Sequence, residues 1–202
     1  MAYSNFKLNT SLLVISFYTN DGNYPKYAEL LSEDCERLGI DYYIAEKQSF
    51  DDYCKNCNIK PFFIKEALEK FKKPVLWMDV DGSIVTSPSL FFEDNILSYD
   101  VAVNRATWNA DKIHVGSMWF NYTKPAVELI NAWCESVSSG GIDDSEFNSI
   151  WNNNKNKLRF YELPQNYFTI LKSPDSEIPA DSCIVHRISN SFLKRKYKEK
   201  FK

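Results

Sequence analysis

The sequence predicts a single α/β domain, a mostly parallel central sheet flanked by helices. Three observations carry this. The chain's 202 residues are one domain's length, enough to bury about 70% of the unfolded surface in one core. Strand-like and helix-like runs alternate along it, the pattern of βαβ units. And runs such as Val75-Leu-Trp-Met78 are apolar without alternation, as strands covered on both faces are. At 44% hydrophobic and 25% charged residues, the chain is too apolar for disorder. No apolar stretch reaches the roughly 18 residues of a membrane span. A pI near 5.5 argues against a wholly basic nucleic-acid coat. The net charge of −3 hides an asymmetry: Lys194–Lys202 carries +5, leaving −8 for the rest.

In order, Ser11–Thr19 is a continuous β-rich run that Asn20-Asp-Gly-Asn23 breaks. Pro25 suits the start of a helix, and Tyr27, Leu30, Leu31, Cys35 and Leu38 recur at helical spacing until Gly39. Tyr42–Ala45 is a second strand. Pro61 opens a helix with Phe63, Ala67, Leu68 and Phe71 inward, ended by Lys72-Lys-Pro74. Val75–Met78 is a third buried strand. Weaker strands follow at Asp100–Asn104 and Val115–Asn121, helices at Pro125–Val137 and Asp143–Trp151, and late strands at Leu158–Tyr161 and Ser182–Val185. Asn152–Asn156 is a polar loop. The domain runs over residues 1–189, and 190–202 is a basic tail. No charged start with a small-residue cleavage site precedes the first strand, so the expected location is cytoplasmic, peripheral at the membrane surface if the tail docks there. Cys35, Cys54, Cys57, Cys134 and Cys183 read as free thiols; Cys54-Lys-Asn-Cys57 has the spacing of a redox or zinc pair but no second pair follows it.

The chemistry concentrates where Val75–Met78 runs into Asp79-Val-Asp81-Gly82. Ligands of open α/β sheets bind at the carboxyl edge of the strands. Residues two apart on a strand point the same way, so Asp79 and Asp81 can converge on one centre. Two carboxylates that close repel unless a cation or a shared proton relieves them. A hard divalent ion, Mg²⁺ or Mn²⁺, suits oxygen ligands. The plainer alternative is a pair of turn aspartates before Gly82.

Two families write this motif. Asp79-Val-Asp-Gly-Ser83 resembles the nucleophile loop of haloacid-dehalogenase-like phosphatases, and equally the Asp-x-Asp of glycosyltransferases of the GT-A fold. The phosphatase motif normally belongs to the first strand of its domain, whereas here a complete βαβ segment comes first. Downstream, Val115-Gly-Ser-Met-Trp-Phe-Asn121 resembles the G-x-x-x-F strand of GT-A enzymes, and Pro125–Trp133 the helix after it. Asp143-Asp-Ser-Glu-Phe-Asn148 resembles their Asp-Gln-x-x-Leu/Phe-Asn segment, with Asp144 where Gln is usual. Leu163-Pro164 and Ile184-Val-His186 complete the order. From Leu12 to about Ser189 the chain resembles a small GT-A nucleotide-sugar transferase with a Rossmann-like sheet.

That resemblance implies a metal, Mn²⁺ or Mg²⁺, held by Asp79, Asp81 and His186. It implies that Asp143 orients the acceptor or the transferred sugar, with Asp144 as a second candidate; helix capping is the bland reading of both. It places the base and ribose at the end of the first strand, Phe17-Tyr18-Thr19, where either Phe17 or Tyr18 stacks on the base unless Phe17 fills the core. Tyr24 is a further aromatic candidate, and Lys60 meets the ribose or diphosphate unless it is solvated. Arg105, Trp108 and Asn109 form an acceptor or sugar wall. His114 is unassigned. The expected donor is a nucleotide-diphosphate sugar, UDP-linked, and the acceptor a hydroxyl of a saccharide, a lipid-linked saccharide or a modified DNA base, with a retaining outcome. The basic tail is a solvated helix, or contacts anionic lipid or DNA. The competing readings are a Mg²⁺-dependent phosphatase using Asp79 and Asp81, with Asp143 and Asp144 as its late acidic pair, and a non-catalytic nucleotide-sugar binding domain.

Overall fold

Each side chain of Val75-Leu-Trp-Met78 is at most 1% exposed, and their alternation explains the architecture. Val75 and Trp77 enter one apolar cluster; Leu76 and Met78 enter another on the opposite face. A strand can feed two cores only as an inner strand of a sheet covered on both sides.

The computed structural model describes residues 2–5, 11–107, 109–171 and 176–187. Trp108 and the basic tail lie outside the described residues. In chain order the elements are β1 (Ala2–Asn5), β2 (Leu13–Thr19), α1 (Tyr24–Leu38), β3 (Asp41–Lys47), α2 (Tyr53–Cys57), α3 (Ile59–Phe71), β4 (Val75–Met78), β5 (Gly82–Ile84), β6 (Val101–Ala106), β7 (Asn109–Phe120), α4 (Lys124–Ser138), α5 (Asp143–Asn154), β8 (Phe160–Glu162), β9 (Thr169–Leu171) and β10 (Ile184–Arg187).

Seven strands form one sheet in the order β1-β3-β2-β4-β7-β6-β8. β3, β2, β4, β6 and β8 run one way, while β1 and β7 run against them. The mostly parallel sheet therefore holds, with β7 as the reversed strand inside it. α3, α4 and α5 cover one face with Phe63, Leu68, Leu129, Trp133, Phe147 and Trp151. α1 covers the other through Ala28, Leu31 and Cys35, beside a smaller three-stranded sheet of order β5-β10-β9.

Local chemistry sets the boundaries. Pro25 stands in the first turn of α1, where its missing N–H costs nothing. Gly39 ends that helix with φ at 66°, and Ile40 N donates to Cys35 O at 2.9 Å. That closure needs a left-handed residue, which glycine supplies at least cost. The third helix begins at Ile59, two residues before Pro61, which puts Lys60 inside its first turn. β7 extends back to Asn109 rather than starting at Val115; it forms a hairpin with β6, and the polar residues Asn109, Asp111 and Lys112 hid that extension. β1, β5, β9 and α2 are too short to show a period.

Asp100, 1% exposed, ties three elements at the far edge of the sheet. Its carboxylate accepts from Arg159 N (2.8 Å), Arg159 Nη2 (3.0 Å) and Thr123 Oγ1 (2.8 Å), joining the starts of β6, β8 and α4. Burial alone would raise this carboxyl, but the hydrogen bonds and charge of Arg159 hold it below the usual carboxylate range. Its stabilisation is full above the unfolded value of about 3.9 and is lost as pH falls through the lower native value. Asp100→Asn is expected to cost about 2 kcal/mol at pH 7. The difference from wild type should shrink in urea titrations carried toward pH 3.

Candidate active site

β4 ends at the carboxyl edge of the sheet and hands Asp79 to a tight turn. Asp79 N continues the ladder to Gly116 O at 2.7 Å, and Gly82 N closes the turn onto Asp79 O at 2.9 Å. The chain then re-enters β5, whose outer edge is clamped by α1: Ile84 N donates to Asp34 Oδ2 at 3.1 Å, and Arg37 Nη2 donates to Ile84 O at 2.6 Å. The turn carrying both aspartates is thus fixed at both ends.

β10 lies beside β5 with His186 opposite Gly82 and, on its other side, opposite Ile170 of β9. The fold so brings His186, late in the chain, to the aspartate turn. The His186 ring, 7% exposed, stacks on Phe168 at 4.3 Å; Phe168 stacks in turn on His114 at 4.0 Å. Two glycines make room for this. A Cβ on Gly82 would stand 3.1 Å from Asp79 O and 3.2 Å from His186 Cε1. One on Gly116 would stand 3.0 Å from Phe168 Cε2, 3.2 Å from His186 Cε1 and 3.3 Å from Asp79 Oδ2. A glycine inside a strand marks such a close approach. Burial lowers the His114 imidazole to about 4, so it is neutral at physiological pH.

Lys60 is buried rather than solvated, its side chain 6% exposed. Its ammonium has three protons and three acceptors: Asp143 Oδ2 at 2.9 Å, Asp79 Oδ1 at 3.1 Å and Val115 O at 3.3 Å. Burial alone would lower this amine, but Asp143 and Asp79 outweigh it and hold its pKa above the ordinary lysine value. Burial raises the Asp79 carboxyl, Lys60 and His186 oppose that, and the charges of Asp81 and Asp143 add to it. Trp77 Nε1 also donates to Asp79 Oδ1, at 3.2 Å.

Asp143 and Asp144 part company at the start of α5. Asp143 is buried against Lys60, and Asn58 secures its position: Asn58 Oδ1 accepts from Asp143 N at 2.9 Å while Asn58 Nδ2 donates to Gly141 O at 2.8 Å. Asp144 is exposed and spends Oδ1 on Asn148 Nδ2 at 2.9 Å. The structure does not bring Asp144 to the cluster. Asn148 also exchanges hydrogen bonds with Ile113 of β7, at 2.6 and 3.1 Å, fixing α5 to the sheet.

At the end of β2, Phe17 packs against Trp77 (5.6 Å) and Phe63 (5.8 Å), so it fills the core rather than stacking on a base. Tyr18 and Thr19 are buried, 4% exposed each. Tyr18 Oη donates to Glu46 Oε2 at 3.4 Å and Thr19 Oγ1 donates to Asp21. Beyond them, a polar cleft of about 550 Å³ is lined by Asn20, Glu46, Lys47, Gln48 and Ser49, at the carboxyl ends of β2 and β3. Burial raises the Tyr24 phenol, and the charges of Asp81, Asp21 and Asp79 add to that. Arg105, near the carboxyl end of β6, pairs with Glu162 at 2.6 Å. Burial and Asp143 push the Cys57 thiol up to about 12, so it is no reactive thiolate; all five cysteines are free.

The donor set of Asp79, Asp81 and His186 fits a divalent cation chemically: two carboxylates that raise one another's cost of ionisation, plus an imidazole. Asp79 and His186 both come within 3.3 Å of where a Gly116 Cβ would stand. Among the described residues no group of three His, Cys, Asp or Glu side chains stands ready to grip an ion, and Lys60 neutralises Asp79.

No protein-family sequence model and no curated protein sequence matches the chain. Solved structures do. A glycosyltransferase involved in glycosylation of the major capsid of PBCV-1 superposes with a TM-score of 0.70 at 16% identity, covering 95% of this chain and 99% of that one. The chain has the GT-A glycosyltransferase fold. The galactosyltransferase LgtC, solved with donor and acceptor sugar analogues, gives 0.55 at 8% identity, covering 93% of this chain and 94% of that one. GlyE of Streptococcus pneumoniae TIGR4 gives 0.61 at 15% identity, covering 90% of this chain and 55% of GlyE. In this GT-A chain no helix among the described residues is long and apolar enough to cross a membrane.

Proposed function

We propose that the protein is a glycosyltransferase that moves a sugar from a nucleotide-diphosphate sugar, UDP-linked, to a hydroxyl acceptor, with Mn²⁺ or Mg²⁺ held by Asp79, Asp81 and His186. The observation that carries this reading is the register that sets His186 opposite Gly82, beside the Asp79–Asp81 turn at the carboxyl edge of a GT-A sheet. The cleft lined by Asn20, Lys47 and Ser49 takes the nucleoside, and Tyr24 closes over the diphosphate side. When bound, the metal supplies positive charge to the diphosphate as the glycosidic bond weakens. Lys60 holds Asp143 in place and adds a second positive charge on that side of the cluster. In this reading Asp143 is the carboxylate that orients a sugar hydroxyl. Asp144 turns to Asn148 while Asp143 turns to Lys60, so these two do not act as the late acidic pair of the phosphatase reading. The expected stereochemistry is retention, and the acceptor is a saccharide, a lipid-linked saccharide or a modified DNA base.

The test is release of UDP when the protein is incubated with a panel of UDP-sugars and Mn²⁺. Slow hydrolysis of at least one donor is expected even without acceptor, lost in excess chelator. Undiminished turnover in chelator would sink the metal assignment, and phosphate release from simple phosphomonoesters would revive the phosphatase. Nucleotide binding without turnover of any donor would support the non-catalytic alternative.

A further inference from the structure

Asp79, one of the carboxylates assigned to the metal, already has a cation. Lys60 Nζ stands 3.1 Å from Asp79 Oδ1 and 2.9 Å from Asp143 Oδ2, and its third proton meets Val115 O at 3.3 Å. The ammonium is saturated with acceptors and almost wholly removed from water. α3 places it in its first turn, and the Asn58 amide, two positions earlier, locks the loop before α5 against the same helix end.

We infer that Lys60 is a built-in counter-ion that competes with the divalent cation for Asp79 and makes cation binding depend on the nucleotide. This rests on the function proposed above. With Lys60 in place, a divalent ion must approach Asp79 against a fixed positive charge within hydrogen-bond distance of the same carboxylate, which lowers its affinity. A diphosphate entering the site offers the ammonium a new anionic partner and the metal new oxygen ligands. Lys60 can then share its charge between Asp143 and the phosphate and release Asp79. The charges agree: Asp79, Asp81 and Asp143 against Lys60 leave two negative charges, which one divalent cation cancels. Lys60 therefore couples the two ligands, and by linkage each must raise the other's affinity equally. The coupling follows from the placement of one ammonium and needs no movement of the sheet.

The experiment is a Mn²⁺ titration followed by electron paramagnetic resonance of the free ion, with and without UDP, on wild type, Lys60→Met and Lys60→Arg. Wild type should bind Mn²⁺ at least tenfold more tightly with UDP present. Lys60→Met should bind Mn²⁺ alone at least tenfold more tightly than wild type and lose most of the UDP dependence. Lys60→Arg, which keeps the charge, should retain that dependence. If wild type binds Mn²⁺ equally well with and without UDP, the inference falls, whatever the variants do. If folded Lys60→Met binds Mn²⁺ no better than wild type, it falls too. Should Lys60→Met not fold, Lys60→Gln, which removes the charge but keeps a hydrogen-bond donor, is titrated in its place with the same expected and overturning results. Binding of both ligands without coupling overturns the role of Lys60 alone. Binding of neither overturns the nucleotide-sugar reading itself.

Discussion

Asp81→Asn is expected to abolish transfer, by about 10³-fold or more in kcat, without weakening the fold. The two effects separate because of where Asp81 sits. It is half-buried at the sheet's edge, and its charge adds to the cost of ionising Asp79. Its backbone carbonyl helps to hold the turn to β10: Asp81 O accepts from Arg187 N at 3.4 Å. Removing the negative charge relieves its repulsion of Asp79, and the variant should still fold and unfold cooperatively, which circular dichroism and a thermal melt check. In the proposed site the same change would remove a ligand from the cation and leave the diphosphate without its counter-charge. A folded Asp81→Asn protein with wild-type donor turnover would contradict the assignment.

The second large effect is expected at Gly116. Its missing side chain leaves the space into which Phe168, His186 and Asp79 converge, at 3.0, 3.2 and 3.3 Å from where a Cβ would stand. None of these neighbours can yield cheaply. Phe168 is sandwiched between two imidazoles, His186 is pinned in the middle strand of its sheet, and Asp79 is bonded to Lys60 and Trp77. Gly116→Ala should cost about 1–3 kcal/mol of stability from overpacking. Donor turnover should also fall, by about tenfold or more, because the few tenths of an ångström by which these neighbours must yield fall on two of the proposed metal ligands. Gly116→Val should be worse on both counts. Urea denaturation gives the first quantity and UDP release the second; a variant that loses stability but keeps turnover would show that the close packing serves the fold alone.

The aspartate turn was legible because its information is contiguous: four apolar residues, two carboxylates and a glycine in one run. The main strands and helices were legible for the same reason, through periods carried by neighbouring residues. What the sequence could not show are meetings across the chain. Asn58 and Asp143 lie 85 positions apart, and nothing local says that Lys60 joins them inside rather than pointing to water. Phe168 stands just before β9, a strand of three residues, too short to have a pattern, yet it supports the His186 ring. Phe17 could be placed at the end of its strand but not on a face, because buried central strands do not alternate. Asp143 and Asp144 are adjacent and chemically alike; only the helix geometry turns one inward and the other to Asn148.

If Asp79, Asp81 and His186 hold a cation that in turn holds a nucleoside diphosphate, the two ligands must stabilise the chain together. Thermal unfolding of the wild-type chain with UDP, with and without Mn²⁺, tests this most directly. UDP is expected to raise the unfolding temperature when Mn²⁺ is present and to do little in excess chelator. No shift with UDP and Mn²⁺ together, alongside stabilisation by phosphate mimics with Mg²⁺, would contradict it.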